Sequence, residues 1–494
     1  MKHANKTKII LFLFVTFMMS QIVSAQKVYT LEEALNEAFS NSPNLIQSKI
    51  SLEQQKLNLR AQRASLKSQF SLDVDPFSYF RQKSYDSFNS KWYSSESKSA
   101  GASFGITQPI KWTDGSISLV NDFKWQEASN KTSGGSNTSF SHDMSIRFTQ
   151  PLFTYNRTKM NLKELEYSLQ NAQMSYAMQQ LSIEKSVTSQ FYQVYQAQQN
   201  LITKKEELKN QRKNYDIIKN KVEAGLVAKE ELYQSEVNLA TSESAFYTQE
   251  ISLKNTKDDL KKLLGLDLNK DLSVLPNTNI LKIKVFSLDA EKHALEQRME
   301  LLQHQISLEK SLFAIIKAKA QTEFNGDLSV RVGLNALSNK VDNMYDNPND
   351  NEQISISFKI PIFDWGAKKA RVRSSQLSYE SEKINIKEEK KDIILGVRKI
   401  CRNLPNLERE IEIKQKSIIN AQHTYDINLE KYRNGDITGM DLQQYQNQLT
   451  TAQQSYTNAI INYKLEVLNL KIQTLWDYES QKSILPEEIK NIKL

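Results

Sequence analysis

The feature that most constrains this chain is a seven-residue apolar repeat that occurs in two long copies. The segment 215–260 recurs at 425–470, about 210 positions later and without a gap. Each copy places an apolar residue at every seventh position: Leu232, Leu239, Phe246, Leu253 and Leu260 in the first, and Leu442, Leu449, Tyr456, Tyr463 and Leu470 in the second. This period keeps one face of a helix against a partner along its whole length, as in coiled coils.

A glycine precedes each apolar run and interrupts a pattern that is helical on both sides. Gly225 and Gly435 therefore indicate turns between two helices. Each copy is predicted to be a helical hairpin with its tip at the glycine. The helix predicted before the first tip, 154–224, would be roughly 100 Å long, a length that no globular core requires.

Between the helical segments the apolar period changes to two, which is typical of strands. Six stretches show this alternation, four in the first half of the chain and two in the second, around Leu72, Phe104, Leu119, Ile146, Val332 and Ile356. Segments 80–99 and 128–139 are predicted to be long loops, and 111–115 a tight turn. Long loops at one end of a sheet and short turns at the other are typical of outer-membrane barrels.

The order of helices and strands repeats, so the chain is predicted to be an internal tandem repeat. We expect a first repeat over 26–285, a second over 286–480 and a flexible tail over 481–494. The motif around Pro151 recurs around Pro361, and proline suits a strand-to-helix junction. The first repeat has about 46 additional residues in its strand region, which is room for one more strand pair.

The first 25 residues have the features of a secretory signal peptide. Lys2, Lys6 and Lys8 precede the apolar run 9–19, and Ala25 offers a small residue for cleavage. Removal of 1–25 lowers the formal net charge from +8 to about +5. No later segment is apolar enough for a membrane helix, so a membrane-spanning form would use strands.

Composition and motifs argue against catalysis. The chain has 13 Gly, 9 Pro and only 39% hydrophobic residues, which predicts long elements with narrow apolar seams. The five histidines and the sole cysteine, Cys401, lack metal-ligand spacing, and no phosphate loop or nucleophile elbow occurs. We therefore predict no catalytic residue, metal or cofactor. Without a basic stripe bearing aromatics, we also predict no nucleic-acid partner.

The strand count bears on assembly. In a membrane every backbone group must be paired, and four to six strands are too few to close a barrel. Several chains are therefore expected to share one barrel, with their helices continuing it as a tube. The alternative is a secreted or periplasmic coiled-coil scaffold or adhesin without a pore. It explains the heptads but not the strand blocks placed alike in both halves.

The order of these motifs resembles that of the TolC-like outer-membrane efflux channels. The resemblance is carried by segment 31–35 (Leu-Glu-Glu-Ala-Leu), the two proline junctions and the tips 222–228 and 432–437. It implies an α+β membrane protein, a homotrimer whose shared β-barrel lies in outer-membrane lipid and is continued by a long periplasmic α-helical coiled-coil barrel. It also implies passive export, with docking to a periplasmic adaptor protein and an inner-membrane transporter.

The resemblance further implies that the tips gate the periplasmic end. Asp441 matches the first of two aperture aspartates, and Gln444 stands at the second. Glu231 and Tyr432 match a polar network that holds the tips closed, and Arg433 lies near the network arginine position, which is isoleucine here. The alternative for both carboxylates is an ordinary first-turn acid favoured by the helix dipole. Adaptor docking is expected at four tip residues, Gly225, Leu226, Gly435 and Asp436.

Overall fold

The structure is a computed structural model that describes residues 27–88, 90–130, 135–321, 323–346 and 348–490. The expected signal peptide, 1–25, lies outside the described residues. The chain forms two compact units. The helical unit contains the described residues up to 50 with 174–301 and 389–490, and the sheet unit contains 51–173 and 302–388.

The helices and strands alternate in blocks along the chain. Their order is β1 (Lys27–Tyr29), α1 (Leu31–Asn41), α2 (Pro43–Ser65), β2 (Gln69–Asp86), β3 (Lys91–Ile110), β4 (Gly115–Asn130), β5 (Gly135–Leu152), α3 (Arg157–Glu223), α4 (Lys229–Leu264), β6 (Leu272–Val274), α5 (Ser287–Gln297), α6 (Met299–Ala320), β7 (Asn325–Ser338), β8 (Asn349–Lys359), α7 (Ala367–Asn434), α8 (Gly439–Thr474), β9 (Trp476–Asp477), β10 (Lys482–Ser483) and α9 (Glu487–Lys490). The two predicted helical hairpins are confirmed as α3–α4 and α7–α8. Over the described ranges, none of the helices has an 18-residue stretch apolar enough to cross a bilayer.

In the helical unit, the apolar residues of the hairpins pack into separate clusters. One cluster joins Ala34 of α1, Phe191 of α3 and Leu260 of α4. Another joins Leu404 of α7 to Leu470 of α8. The last heptad residue of each hairpin, Leu260 or Leu470, is fully buried, as the predicted seam requires.

The helical unit also contains short features around its first helix. A capping box begins α1, because the Glu33 carboxylate accepts the Thr30 N–H at 2.9 Å and the Thr30 hydroxyl accepts the Glu33 N–H at 3.3 Å. The parallel pair of β1 and β6 was missed, since strands of three residues show no apolar period.

The expectation of a flexible tail over 481–494 is wrong for its described part. Strand β10 pairs with β9, and the Ser483 hydroxyl donates to Gln297 Oε1 at 2.6 Å. Ile489 is buried. The described part of the tail is therefore paired and partly buried within the helical unit. Residues 491–494 lie outside the described part.

In the sheet unit, the strands of the described chain form one six-stranded antiparallel sheet. Its order is β2-β3-β4-β5-β7-β8, so all six predicted strands are confirmed as neighbours. The tight turn at 111–115 is confirmed between β3 and β4.

The two predicted long loops are wrong. Strand β2 continues to Asp86 and β3 begins at Lys91, while β4 continues to Asn130 and β5 begins at Gly135. The serine-rich segments stay paired as strands beyond the apolar alternation, and the rings of Tyr85 and Trp92 lie 5.3 Å apart across β2 and β3. A period-two search for apolar residues does not detect polar strands of this kind.

The two faces of the sheet differ in polarity. Residues in register share a face. One row runs across five strands as Phe70, Ile106, Leu119, Ile146 and Val332, and its residue on β8 is Glu352. A row three positions away, on the opposite face, runs across all six strands as Asp73, Ser103, Asp122, Asp143, Asn335 and Asn349. We call the apolar side the outer face and the polar side the inner face.

Candidate functional site: the two hairpin tips

Both hairpins reverse direction through the same glycine closure. In the first, Gly225 has φ +69° and the Leu226 N–H donates to the Lys221 carbonyl at 2.8 Å. In the second, Gly435 has φ +88° and the Asp436 N–H donates to the Lys431 carbonyl at 2.9 Å. This left-handed helix ending favours glycine, which lacks the Cβ that crowds such a backbone. The four predicted tip residues therefore lie at the two turns.

The helices that leave the tips begin differently. Thr438 caps α8, with its hydroxyl accepting the Asp441 N–H at 3.2 Å. The Asp441 carboxylate accepts the Thr438 N–H at 3.0 Å and the Thr438 hydroxyl at 2.7 Å, which completes a capping box. At the equivalent position Ala228 begins α4 without a side-chain hydrogen bond.

Asp441 is exposed and its carboxylate is engaged by its own helix. The hydrogen bonds from the Thr438 hydroxyl and then from the Thr438 N–H hold the pKa of Asp441 below its ordinary value. This geometry is that of a first-turn carboxylate. An exposed charge at a tip can also act on ions that pass it.

Tyr432 lies between the two tips and is only 5% exposed. Among the residues that the structure describes, none is a hydrogen-bond partner for its hydroxyl. Burial, and then the negative charge of Glu231, raise the pKa of Tyr432. The Lys221 ammonium lies 5.5 Å from the centre of its ring, within the range of a cation–π contact.

A polar cavity of about 530 Å³ separates the tips. Tyr432 and Glu231 both line it, together with polar residues of three helices that include Gln211, Gln234 and Gln443. The structure therefore brings two of the four predicted gating residues together.

The two remaining gating residues, Asp441 and Arg433, do not line this cavity. Arg433 pairs instead with Glu430 of its own helix at 2.6 Å, and both side chains are exposed. An exposed pair of this kind contributes little stability.

The hairpins meet through polar side chains along the helices, several turns away from the tips. The Gln196 amide donates to Asn458 at 2.6 Å. The Asn210 amide lies 3.3 Å from both the Tyr425 hydroxyl and the Gln446 amide oxygen. Sequence reasoning missed this interface, although Gln196 and Asn210 lie two heptads apart and mark one helix face.

The capping role of Thr438 was also missed. The signal was available, because Thr438 precedes Asp441 by the same spacing that separates Thr30 from Glu33. The contact of Lys221 with Tyr432 has no comparable signal, since it joins different helices far apart in sequence.

A second apolar stripe on α4 is exposed. Its members are Tyr233, Val237, Tyr247 and Ile251, each between 58% and 65% exposed. Tyr233 and Tyr247 lie two heptads apart, as do Val237 and Ile251, so the stripe has coiled-coil spacing. We call these four residues the α4 stripe. A stripe of this length needs a partner surface.

The chain matches the family model described as outer membrane efflux protein, over residues 116–266 and 291–471. It is 23% identical over 305 residues to toxin and drug export protein A of Aggregatibacter actinomycetemcomitans, covering 61% of this chain. It is 21% identical over 337 residues to outer membrane protein TolC of Escherichia coli, covering 66% of this chain. The aligned regions span 64% and 68% of these relatives.

Solved structures share the fold. The Campylobacter jejuni CmeC outer membrane channel matches with a TM-score of 0.70 at 17% identity, over 94% of this chain and 90% of the channel. The open state of the Neisseria gonorrhoeae MtrE outer membrane channel matches with a TM-score of 0.66 at 13% identity, over 90% of this chain and 88% of the channel.

Proposed function

Because the chain belongs to the outer membrane efflux protein family, we propose that it is the outer-membrane duct of an export system. Its sheet would lie in the outer membrane and its helices in the periplasm. A periplasmic adaptor protein and an inner-membrane transporter would deliver the cargo and the energy. The duct itself would conduct passively.

The observation that carries this proposal is the polarity of the sheet. Each strand places mainly apolar residues on the outer face, with Asn121, Asp350 and Glu352 as exceptions, and the inner face carries serine, aspartate and asparagine. A strand with one face on lipid and one on water is the wall of a water-filled barrel. A periplasmic scaffold has no need of an exposed apolar sheet.

Assembly follows from two unfinished surfaces. The sheet is open at β2 and β8, and a membrane does not tolerate an open edge. The α4 stripe also awaits a partner helix. We propose that three copies close both surfaces, since a barrel of several chains has one axis around which identical interfaces repeat.

The tips would form the periplasmic aperture. Three copies would bring three Asp441 carboxylates around one axis, and such a ring favours cations. Glu231 and the buried ring of Tyr432, beside Arg433, would govern how the two hairpins of each copy separate. The turn residues Gly225, Leu226, Gly435 and Asp436 would meet the adaptor.

The two repeats, 26–285 and 286–480, would form equivalent parts of the wall and the tube. Each supplies a strand block followed by a helical hairpin. Both hairpins would line the tube, and the wall would take four strands from the first repeat and two from the second.

The test is electrical. The purified protein is reconstituted in planar bilayers, and single-channel conductance and the ratio of cation to anion permeability are measured. We expect discrete channels that prefer cations. Failure to form channels by a protein that needs no detergent would reject the proposal and favour a scaffold.

The role of Asp441 is tested in the same bilayers with two variants. Asp441→Ala removes the charge and the cap, whereas Thr438→Ala removes the cap and keeps the charge. We expect a lower cation preference only with Asp441→Ala. The same loss with Thr438→Ala would show that the residue acts through its helix cap.

A further inference from the structure

We propose that all six strands of each copy enter the membrane wall, with the open edge of β2 pairing with the β8 edge of the next copy. The inference rests on the proposed function and specifies its barrel. Three copies of a six-stranded sheet would form a barrel of about 18 strands. The alternative is a hairpin of β2 and β3 that projects from a barrel of about 12 strands.

The first reason is the outer face. The additional strands, β2 and β3, place apolar residues at the same level as the other strands. On β3, Ala102, Phe104 and Ile106 stand in register with residues 119–123 of β4. On β2, Phe70 and Leu72 stand in register with Ile106 and Phe104. On β4 the outer face is apolar from Ile117 to Trp125 except for Asn121. These positions span about the nine residues that cross a bilayer as a tilted strand.

The second reason is that the apolar part of the outer face ends at the same level on β3 and on β4. Lys98 of β3 pairs with Glu127 of β4 at 3.3 Å, two positions beyond Ala100 and Trp125. The irregular register at residues 75–78 of β2 lies at the same level, and Pro76 sits in it, as proline does in bulges. Beyond this level the paired ends of β2 and β3 would stand in water.

The inner face is the third reason, because polar contacts continue across the additional strands. The Ser103 hydroxyl of β3 donates to Asp122 of β4. Arg331 of β7 makes two bonds, at 2.7 and 2.8 Å, to the Asp143 carboxylate of β5. A hairpin folded away from the wall would have no reason to extend one polar lining.

The base of the sheet is the fourth reason, because side chains at the start of α3 bind the turn between β3 and β4. The Asn156 amide donates to the Lys111 carbonyl at 2.8 Å. The Asp114 carboxylate accepts from Arg157 at 2.9 Å and from the Thr158 N–H at 2.8 Å. Helix α3 follows β5 directly, so these bonds hold the lower end of β3 at the level where the wall meets the helices.

The two edges can close on each other. Six antiparallel strands in sequence leave β2 and β8 running in opposite directions, which permits antiparallel pairing between copies. Leu72 and Ile354 on these edges are 66% and 73% exposed. Pairing satisfies both open edges and surrounds these side chains with neighbours. A barrel of about 18 strands leaves an aqueous channel, as in porins.

Cross-linking between copies distinguishes the two barrels. In a Cys401→Ser background, Leu72→Cys is combined in separate chains with a cysteine on β8, and Leu119→Cys is combined with the same partners as a control. The β8 partners cover the possible registers: Ile354→Cys, Ile356→Cys and Phe358→Cys. We expect at least one chain of the Leu72 series to yield covalent trimers after mild oxidation, at several-fold the yield of every Leu119 chain.

Each other outcome has one meaning. Cross-linking in the Leu119 series would place β4 at the edge and overturn the six-stranded wall while leaving a channel intact. No cross-link in a protein that remains trimeric by light scattering would also overturn it. A protein that stays monomeric in detergent would reject the proposed function itself.

Fluorescence quenching by lipid provides a second measurement that does not depend on register. A fluorophore is attached to Phe104→Cys on the outer face or to Ser103→Cys on the inner face of reconstituted trimers. Brominated lipid should quench the first several-fold more than the second. Equal, weak quenching at both positions would place β3 outside the membrane and contradict the inference.

Discussion

The two hairpin tips turn alike and restart differently. Both end a helix with a left-handed glycine, and both place an acid at the third position of the next helix, Glu231 in one and Asp441 in the other. Thr438 engages Asp441 in a capping box, whereas Ala228 offers no hydroxyl to Glu231. The presence or absence of one N-cap hydroxyl therefore distinguishes the surroundings of the two carboxylates.

The consequence concerns Tyr432. Glu231, not held by a cap, lines the cavity between the tips with Tyr432, and its charge contributes to the raised pKa of that phenol. Asp441 is turned to its own helix end. The first tip therefore presents its acid to the other hairpin, and the second tip uses its acid to fix its own start.

The largest effect is expected when the left-handed glycine shared by both tips is replaced. Gly225→Ala and Gly435→Ala each place a Cβ on a left-handed backbone, which costs about 1–2 kcal/mol. Hydrogen exchange of the tip peptides should accelerate by about 5–30-fold in both variants. Apart from the adjoining residues of the chain, no atom of the described residues lies within 4 Å of either added Cβ, so the cost comes from the backbone alone.

Gly396→Ala is the matched control for the two glycine variants. Gly396 lies inside α7, has open space around its Cβ position and does not have a positive φ. We expect slower exchange around it, because alanine favours a helix over glycine by about 1 kcal/mol. Accelerated exchange there would mean that the tip effects are not due to the left-handed turn.

A smaller effect is expected when the N-cap residues, which differ between the tips, are exchanged. Thr438→Ala should weaken the start of α8 by about 1 kcal/mol, and Ala228→Thr should strengthen the start of α4 by up to a similar amount. The second variant creates the spacing Thr-x-x-Glu and should draw Glu231 into a cap. Exchange of the two first turns measures both effects. Unchanged exchange in both variants would show that capping does not distinguish the tips.

The capping comparison also shows what sequence can reveal. Heptads, glycine turns and the Thr30 capping box are local patterns, so the helices and tips were predictable to within a few residues. The cap at Thr438 is equally local, since Thr438 and Asp441 have the spacing of Thr30 and Glu33. The meeting of Glu231 with Tyr432 depends on how two hairpins pack, and no spacing in the sequence encodes it.

In the sheet, too, local patterns predicted some parts of the strands and missed others. Alternation identified Phe104 and Leu119 as strand residues because one face of each strand is apolar. It could not follow the strands into segments 80–86 and 91–99, where most residues are polar and no apolar alternation continues. An apolar period indicates that one face of a strand is apolar, and a mostly polar strand shows no such period.

A third effect is a pH dependence confined to the second tip. Because the pKa of Asp441 is lowered in the folded chain, its stabilisation is present above the ordinary aspartate value of 3.8 and is lost as pH falls through the lower folded value. Protection of the first turn of α8 should therefore fall below pH 3.8. Asp441→Asn should show weaker protection at neutral pH and a flatter profile. Matching profiles would exclude the carboxylate as the cause.

The smallest effect is expected at Tyr432 itself. Its buried hydroxyl has no partner among the described residues, so Tyr432→Phe removes no hydrogen bond and should leave exchange near the tips unchanged or slightly slower. Tyr425→Phe is the control, since its hydroxyl lies 3.3 Å from the Asn210 amide and its loss should cost about 1 kcal/mol. Faster exchange or more frequent channel opening with Tyr432→Phe would contradict this expectation. It would mean that assembly supplies the hydroxyl with a partner, and Glu231 would then be the first acceptor to test by Glu231→Gln.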